Sequence, residues 1–294
     1  MEYGGYKLNE EKGAVIIENV RDFNPVHTFE CGQCFRWLKE TDGSYTGVVK
    51  GRVVNLISNE DRLEIHNSTV NDFKDMWFDY FDLRRDYSDI KKKLSKDDNI
   101  RAAVAFGRGI RLLKQDIWET LISFIISANN RIPMIMKVIE LISNAYGEKI
   151  HYNGKCYYTF PHARLLCDST IEKLGLCRGG FRCKYILKTS ELVTSGAIDL
   201  NMLKEMDTDA ARSLLAELPG VGNKVADCTL LYSGTKHDVF PTDVWVKRVM
   251  EELYFKREMS FNEIQQFVRE YFGELAGFAQ QYLFYYAREN RIGV

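Results

Sequence analysis

The chain has 294 residues, 45% of them apolar, and 40 Lys and Arg against 41 Asp and Glu give a formal net charge of −1. That length supports one large domain or two modest ones, each with its own core, and a 28% charged fraction is ordinary for a globular chain. No stretch reaches the about 18 uninterrupted apolar residues of a membrane span. The polar start, residues 1–13, lacks the charged-then-apolar layout of a secretory signal, so the protein is expected to stay inside the cell.

The first third predicts β-structure. Residues 14–20 (AVIIENV), 34–39 (CFRWLK), 44–50 (SYTGVVK), 53–58 (VVNLIS) and 62–66 (RLEIH) are short, rich in β-branched or aromatic side chains, and separated by turns. Asp42-Gly43 and Lys50-Gly51 suit hairpins, so neighbouring strands should be antiparallel. Within this third, Cys31 and Cys34 form a C-x-x-C pair. No second pair or His cluster completes a metal site, so they read as two small, semi-buried thiols. The seven cysteines as a whole read as free thiols of an intracellular protein.

From about residue 70 the period becomes helical. Residues 116–127 (DIWETLISFIIS) and 132–146 carry strong apolar stripes, with Asn129 and Asn130 between them. Residues 147–160 predict a loop with a small hairpin, and further helices are expected near 181–194, 207–217, 222–233, 243–255, 260–272 and 275–289. The expected architecture is α+β: an antiparallel sheet domain with flanking helices over 1–115, then a mostly helical domain over 116–294, packed tightly for want of a Pro/Gly linker. Net charge argues mildly against a nucleic-acid partner. Two local basic stretches (Arg101, Arg108, Arg111, Lys114; Arg178, Arg182, Lys184, Lys188) argue for one, although a solvated helix face would look the same.

Chemistry concentrates in 214–249, LLAELPGVGNKVADCTLLYSGTKHDVFPTDVWVKRV. A helix, the tight turn L-P-G-V-G and a second helix form a helix–hairpin–helix at about 207–233. Gly220 and Gly222 let the backbone turn sharply and approach a partner closely. The turn ends at a helix N-terminus, where unpaired N–H groups and the dipole suit a phosphate without any side-chain charge. Lys224 sits in the first turn of that second helix, the wrong end of the dipole for a cation. The field favours the neutral amine that a nucleophile requires, whereas the bland alternative is an exposed lysine. Asp243 opens the next helix as an N-cap. The intervening helix climbs about 15 Å, and residues 234–242 can span up to about 30 Å, enough to return Asp243 to the lysine's end. There its carboxylate could stabilise positive charge developing on a sugar ring.

Cys228 lies four residues after Lys224 on the same helix face, and Gln280 and Phe284 repeat that spacing near the C-terminus. A thiol, an amide fork and an aromatic face suit a pocket that reads and stacks a flipped base, although Phe284 by itself is more often a core residue.

Together these motifs resemble the helix–hairpin–helix DNA glycosylases, and more narrowly the 8-oxoguanine DNA glycosylases. The likeness runs through the strand domain, LPGVGNKVADC, PTDV and AGFAQQYLF. The resemblance implies a bifunctional glycosylase and AP lyase of base excision repair acting on duplex DNA that contains oxidised guanine. Lys224 would be the nucleophile that forms a Schiff base, and Asp243 the essential aspartate. Gly32 would offer a carbonyl to the N7–H that only the oxidised base carries. Cys228 and Phe284 would sandwich the base and Gln280 would read its pairing edge. Asn129 and Arg182 would contact the orphaned partner base, with Phe181 as the wedge. Gly220 and Gly222 belong to the DNA-binding hairpin.

Three positions depart from the family's pattern. Met134 stands where a second arginine normally contacts the opposite cytosine, which implies a relaxed preference for the opposite base. Trp245 stands where a histidine is expected near a phosphate, and Phe181 replaces a tyrosine. No iron–sulfur signature follows Phe284, so no metal or cofactor is implied. The expected partner is DNA, with no membrane, the protein acting as a monomer on chromosomal DNA in a bacterial cytoplasm or a eukaryotic nucleus. Two rivals remain. A monofunctional alkylated-base glycosylase would lack the lysine at 224, and a non-catalytic DNA-binding module would leave Asp243, Cys228 and Gly32 unexplained.

Overall fold

The structure, a computed structural model, describes residues 1–59 and 61–294. Its first part is a seven-stranded sheet with strand order β1-β2-β3-β7-β6-β5-β4. The strands are β1 (Glu2–Tyr3), β2 (Tyr6–Glu11), β3 (Ala14–Glu18), β4 (Trp37–Lys39), β5 (Tyr45–Val49), β6 (Arg52–Asn59) and β7 (Arg62–His66), and every neighbour is antiparallel. Lys50 and Gly51 both take positive φ (47° and 78°) between β5 and β6, as a two-residue hairpin whose twist matches its strands requires. One sheet face closes on a core of Leu8, Val15, Ile17, Val54, Leu56, Leu63 and Ile65 against Phe29, Trp37, Phe73, Trp77 and Phe81.

Helices flank and follow the sheet. They are α1 (Pro25–Phe29), α2 (Val70–Asp72), α3 (Phe78–Tyr80), α4 (Tyr87–Leu94), α5 (Asp98–Phe106), α6 (Ile117–Ser127), α7 (Ile132–Tyr146), α8 (Ala163–Cys167), α9 (Ile171–Gly175), α10 (Cys183–Thr194), α11 (Thr208–Ala216), α12 (Asn223–Tyr232), α13 (Val244–Met250), α14 (Phe261–Tyr271) and α15 (Ala276–Glu289). A small hairpin, β8 (Lys149–Tyr152) with β9 (Lys155–Tyr158), links α7 to α8. α6 is buried along nearly its whole length and forms, with α12 and α15, the centre of a second core.

The division expected at residue 115 does not coincide with the border between the two cores. Tyr87, Ile90, Leu94, Ile100, Val104, Ile110 and Leu112 pack in the helical core, because the apolar faces of α4 and α5 turn toward α15. The chain also crosses the border earlier, at residues 29–37. Phe29, Cys34 and Trp37 belong to the sheet core, whereas Cys31 and Phe35 belong to the helical one. Gln33, fully buried, fixes this crossing. Its amide donates to the carbonyls of Thr28 and Arg111 at 2.7 and 2.8 Å and accepts from the Leu113 N–H at 2.9 Å. The crossing therefore delivers Gly32, which precedes Gln33, to the helical side.

Three of the four cations of the first basic stretch are engaged within the protein. Arg111 is 2% exposed, its guanidinium bonded to the carbonyls of Asp82 and Arg21. Arg101 pairs with Asp98, and Lys114 with Asp79 and Asp82. Among the described residues no helix is long and apolar enough to cross a membrane.

Candidate active site

The helix–hairpin–helix is α11, the turn 217–222 and α12. Gly220 takes φ +80°, and a Cβ there would lie 2.5 Å from the Tyr185 ring, so the turn needs glycine for its conformation and for its packing on α10. Gly222 is the extended N-cap of α12, with open space where a side chain would go. The neighbouring helices α11 and α13 are capped by Asp207 and Asp243. α12 has no side-chain cap, so its first-turn N–H groups are left for an outside acceptor.

Lys224, the second residue of α12, turns inward. Its Nζ donates to Ser127 Oγ at 3.2 Å and lies 5.2 Å from the centre of the Phe124 ring. One turn on, Cys228 is 3% exposed. Burial pushes its thiol up to about 12 against the opposing pull of the nearby Lys224 charge, so it stays protonated at neutral pH. Asp243 caps α13, one carboxylate oxygen accepting the Val246 N–H at 2.8 Å. That bond leaves the other oxygen available.

These side chains share one cavity of about 140 Å³, lined by Gly32, Lys224, Cys228, Asp243, Gln280 and Phe284 together with Phe35, Phe124, Ser127, Asn130, Tyr232 and Pro241. A space of ~10–15 Å³ admits one water, so this one is roomy. Gln280 is 3% exposed. Its amide accepts from the Tyr232 hydroxyl and donates to the Pro241 carbonyl, both at 3.4 Å, long bonds that a better partner can displace. Phe284 stands edge-on to Trp245, ring centres 5.2 Å apart. Gly32 takes φ +87°, 3.1 Å (from an ideal Cβ) to the Phe284 ring. The carbonyls on either side of it are occupied, Cys31 by Gln281 Nε2 at 3.0 Å and Gln33 by Gln115 Nε2 at 2.7 Å. Among the described residues no donor reaches the Gly32 carbonyl.

The outer positions behave differently. Phe181 and Met134 are 53% and 43% exposed, and Asn129 is exposed in a left-handed turn, φ 51°. None of the three lines the cavity; Asn130 and Ile132, beside Asn129, do. Arg182, expected to contact the orphaned base, bonds to backbone in the absence of DNA. It is 8% exposed, and its guanidinium is spent on the backbone carbonyls of Ala128 and Asn129.

Ser127, Phe124, Tyr232 and Phe35 escaped sequence reasoning. Ser127 ends the stripe 116–127, but Thr120 and Ser123 are buried in the same helix, so a serine there does not stand out in the sequence. Cys31 and Cys34 are both buried free thiols, Cys31 pushed up to about 12 by burial. Among the described residues no three His, Cys, Asp or Glu side chains converge as metal ligands.

The chain is similar to known proteins over most of its length. The family model for the N-terminal domain of 8-oxoguanine DNA glycosylase matches residues 15–121. A probable N-glycosylase/DNA lyase of Methanothermobacter thermautotrophicus is 35% identical over 230 residues, covering 71% of this chain and 73% of that protein. Among solved structures, MBOgg1 in complex with a low-affinity DNA ligand is 53% identical, with a TM-score of 0.95 over 97% of this chain and 99% of that one. The Clostridium acetobutylicum 8-oxoguanine glycosylase/lyase, bound to double-stranded DNA with cytosine opposite 8-oxoguanine, is 45% identical with the same TM-score and coverage. The chain belongs to the 8-oxoguanine DNA glycosylase/lyase family of helix–hairpin–helix proteins.

Proposed function

We propose that this protein excises 8-oxoguanine from duplex DNA and then opens the strand, using Lys224 as nucleophile and Asp243 as its electrostatic partner. The duplex docks its phosphates on the uncapped start of α12, and Phe181, exposed on the rim, fills the gap left by the extruded nucleotide. The flipped base enters the cavity between Cys228 and Phe284. The Gly32 carbonyl accepts the N7–H of the oxidised base; ordinary guanine has a lone pair there, and the mismatch costs ~1–3 kcal/mol. Gln280 exchanges its long bonds to Tyr232 and Pro241 for the pairing edge of the base.

The Lys224 amine attacks C1′ as the bond to the base breaks, and the Asp243 carboxylate offsets the positive charge on the sugar. Ring opening gives an imine, loss of the C2′ proton expels the 3′ phosphate, and water frees the lysine. Met134 offers no donor to an opposite base, so excision extends beyond pairs with cytosine.

The observation that carries this reading is a single cavity holding both an inward-facing lysine amine and a carboxylate beside a protonated thiol, a buried amide and an aromatic face. Its test is single-turnover cleavage of duplexes with one 8-oxoguanine, comparing wild type with Lys224→Gln. Base release and strand scission should both disappear in the variant. Surviving base release would instead assign hydrolysis by water and make the enzyme monofunctional.

A further inference from the structure

The Gly32 carbonyl stands free in a run whose neighbouring carbonyls are all claimed by side chains. Glu30 O accepts from Arg288 Nη2 at 2.6 Å, Cys31 O from Gln281 Nε2 at 3.0 Å and Gln33 O from Gln115 Nε2 at 2.7 Å. Among the described residues no backbone-to-backbone bond involves residues 31–34, so the side chains that reach this bend set its shape. Two of the three come from α15. Gln281, Phe284 and Arg288 follow one another at i, i+3 and i+7, a single stripe of that helix, and the stripe faces residues 30–32. An ideal Cβ on Gly32 would lie 3.1 Å from the Phe284 ring and 3.5 Å from Arg288 Nη1. Arg288 ties the bend to the ring. While Nη2 holds Glu30, its guanidinium carbon lies 5.8 Å from the centre of the Phe284 ring and 5.5 Å from that of Tyr285. Glu289 answers the charge, its carboxylate 2.8 Å from Nη2 and 2.9 Å from Nε. A charged donor holds a carbonyl more strongly than an amide does, and the planar fork serves both acceptors at once. Arg288 does not line the cavity, so it acts on the site from outside it.

We propose that Arg288 is a positioning residue: by latching the Glu30 carbonyl and backing Phe284 it fixes the 30–33 bend, so that the Gly32 carbonyl meets the flipped base at bonding distance. Arg288 thereby sets how sharply the site separates oxidised from ordinary guanine. This rests on the proposed contact between the Gly32 carbonyl and the N7–H of the base. Gln281 shares the work but is fully buried, so its removal would also disturb the core. Arg288, its side chain 26% exposed, can be changed with the core intact.

The test is equilibrium binding by fluorescence anisotropy, with Lys224→Gln as the parent protein so that the duplex is bound without being cut. Duplexes carrying 8-oxoguanine, guanine or a tetrahydrofuran abasic analogue at one position are titrated with the parent and with Arg288→Met and Arg288→Lys added to it. Methionine keeps packing over Phe284 but donates nothing, whereas lysine keeps a charged donor. The readout is the ratio of the Kd for guanine to the Kd for 8-oxoguanine. In Arg288→Met it should fall by on the order of ten-fold, through weaker binding of 8-oxoguanine. Affinity for the tetrahydrofuran duplex, which has no base to read, should stay at the parent value, and Arg288→Lys should keep most of the ratio. An unchanged ratio in Arg288→Met would overturn the proposal. So would an equal loss of affinity for all three duplexes, which marks general damage to DNA binding. A parent that binds 8-oxoguanine and guanine alike is a different failure: it would remove the Gly32 contact itself, and the latch with it. Should Arg288→Met not fold, Arg288→Gln, shorter and uncharged, is read in the same way.

Discussion

On the proposed mechanism Asp243 carries two jobs, which one pair of substitutions separates. Its first job is structural, since it accepts the Val246 N–H at 2.8 Å and starts the seven-residue α13. Asparagine caps about as well as aspartate, whereas alanine loses ~1 kcal/mol. For a protein of this size that loss corresponds to a melting shift of about 2–4 °C. Its second job is electrostatic. A unit charge ~4 Å from a developing cation contributes ~4 kcal/mol at an effective dielectric of about 20, or nearly 10³ in rate. Asp243→Asn should therefore melt within about a degree of wild type yet excise ~10²–10³-fold more slowly. Asp243→Ala should show the same rate loss together with the lowered melting point. Thermal unfolding by circular dichroism and single-turnover excision on one duplex supply both numbers. An Asp243→Asn enzyme within a few-fold of wild type would refute the electrostatic assignment, whatever its stability.

Three further outcomes follow from particular contacts. Cys228→Leu puts bulk into the cavity beside Lys224, so 8-oxoguanine excision should be lost while cleavage at a preformed abasic site, which has no base to accommodate, persists; parallel gel assays check this. Gly32→Ala places a Cβ 3.1 Å from Phe284 at φ +87°, which should cost ~1–2 kcal/mol of stability in denaturant titration and slow excision by displacing the ring. His237 stacks on Phe278, ring centres 5.2 Å apart, and burial together with the Arg85 charge pushes its imidazole down to about 4. Because the folded state favours the neutral ring, this stability contribution is whole above the ordinary histidine value of ~6.5. It fades as pH falls toward 4, by ~1–3 kcal/mol in all. Melting curves across that window should flatten in His237→Phe, and an unchanged slope would remove His237 from the acid limb.

How far the sequence could be read differs between elements for physical reasons. Strands β3 to β7 and helices α6, α7, α12 and α15 carry their periodicity in apolar residues, and their bounds lie within a few residues of expectation. Strands β1 and β2 carry no such pattern. In YKLNEE only Leu8 is buried, so the strand owes its conformation to pairing with β3 rather than to its own pattern. The expected helix over 243–255 ends as an α-helix at Met250 and continues as a π turn to Phe255, a change of hydrogen-bond register that composition does not signal. Lys224, Cys228, Gln280 and Phe284 were legible because i, i+4 spacing places them in pairs on two helices. Ser127 and the backbone partners of Arg182 were not. Those contacts join positions 97 and about 54 residues apart, and only the packing of α6 against α10 and α12 creates them.

The most direct measurement is borohydride trapping on duplexes carrying one 8-oxoguanine opposite each normal base in turn, with the cross-linked peptide identified by mass spectrometry. The account predicts a covalent protein–DNA species from wild type, its adduct on Lys224, absent from Lys224→Gln and formed at comparable rates opposite bases other than cytosine. Base loss without a trapped species, or an adduct on another residue, would contradict the assignment of Lys224.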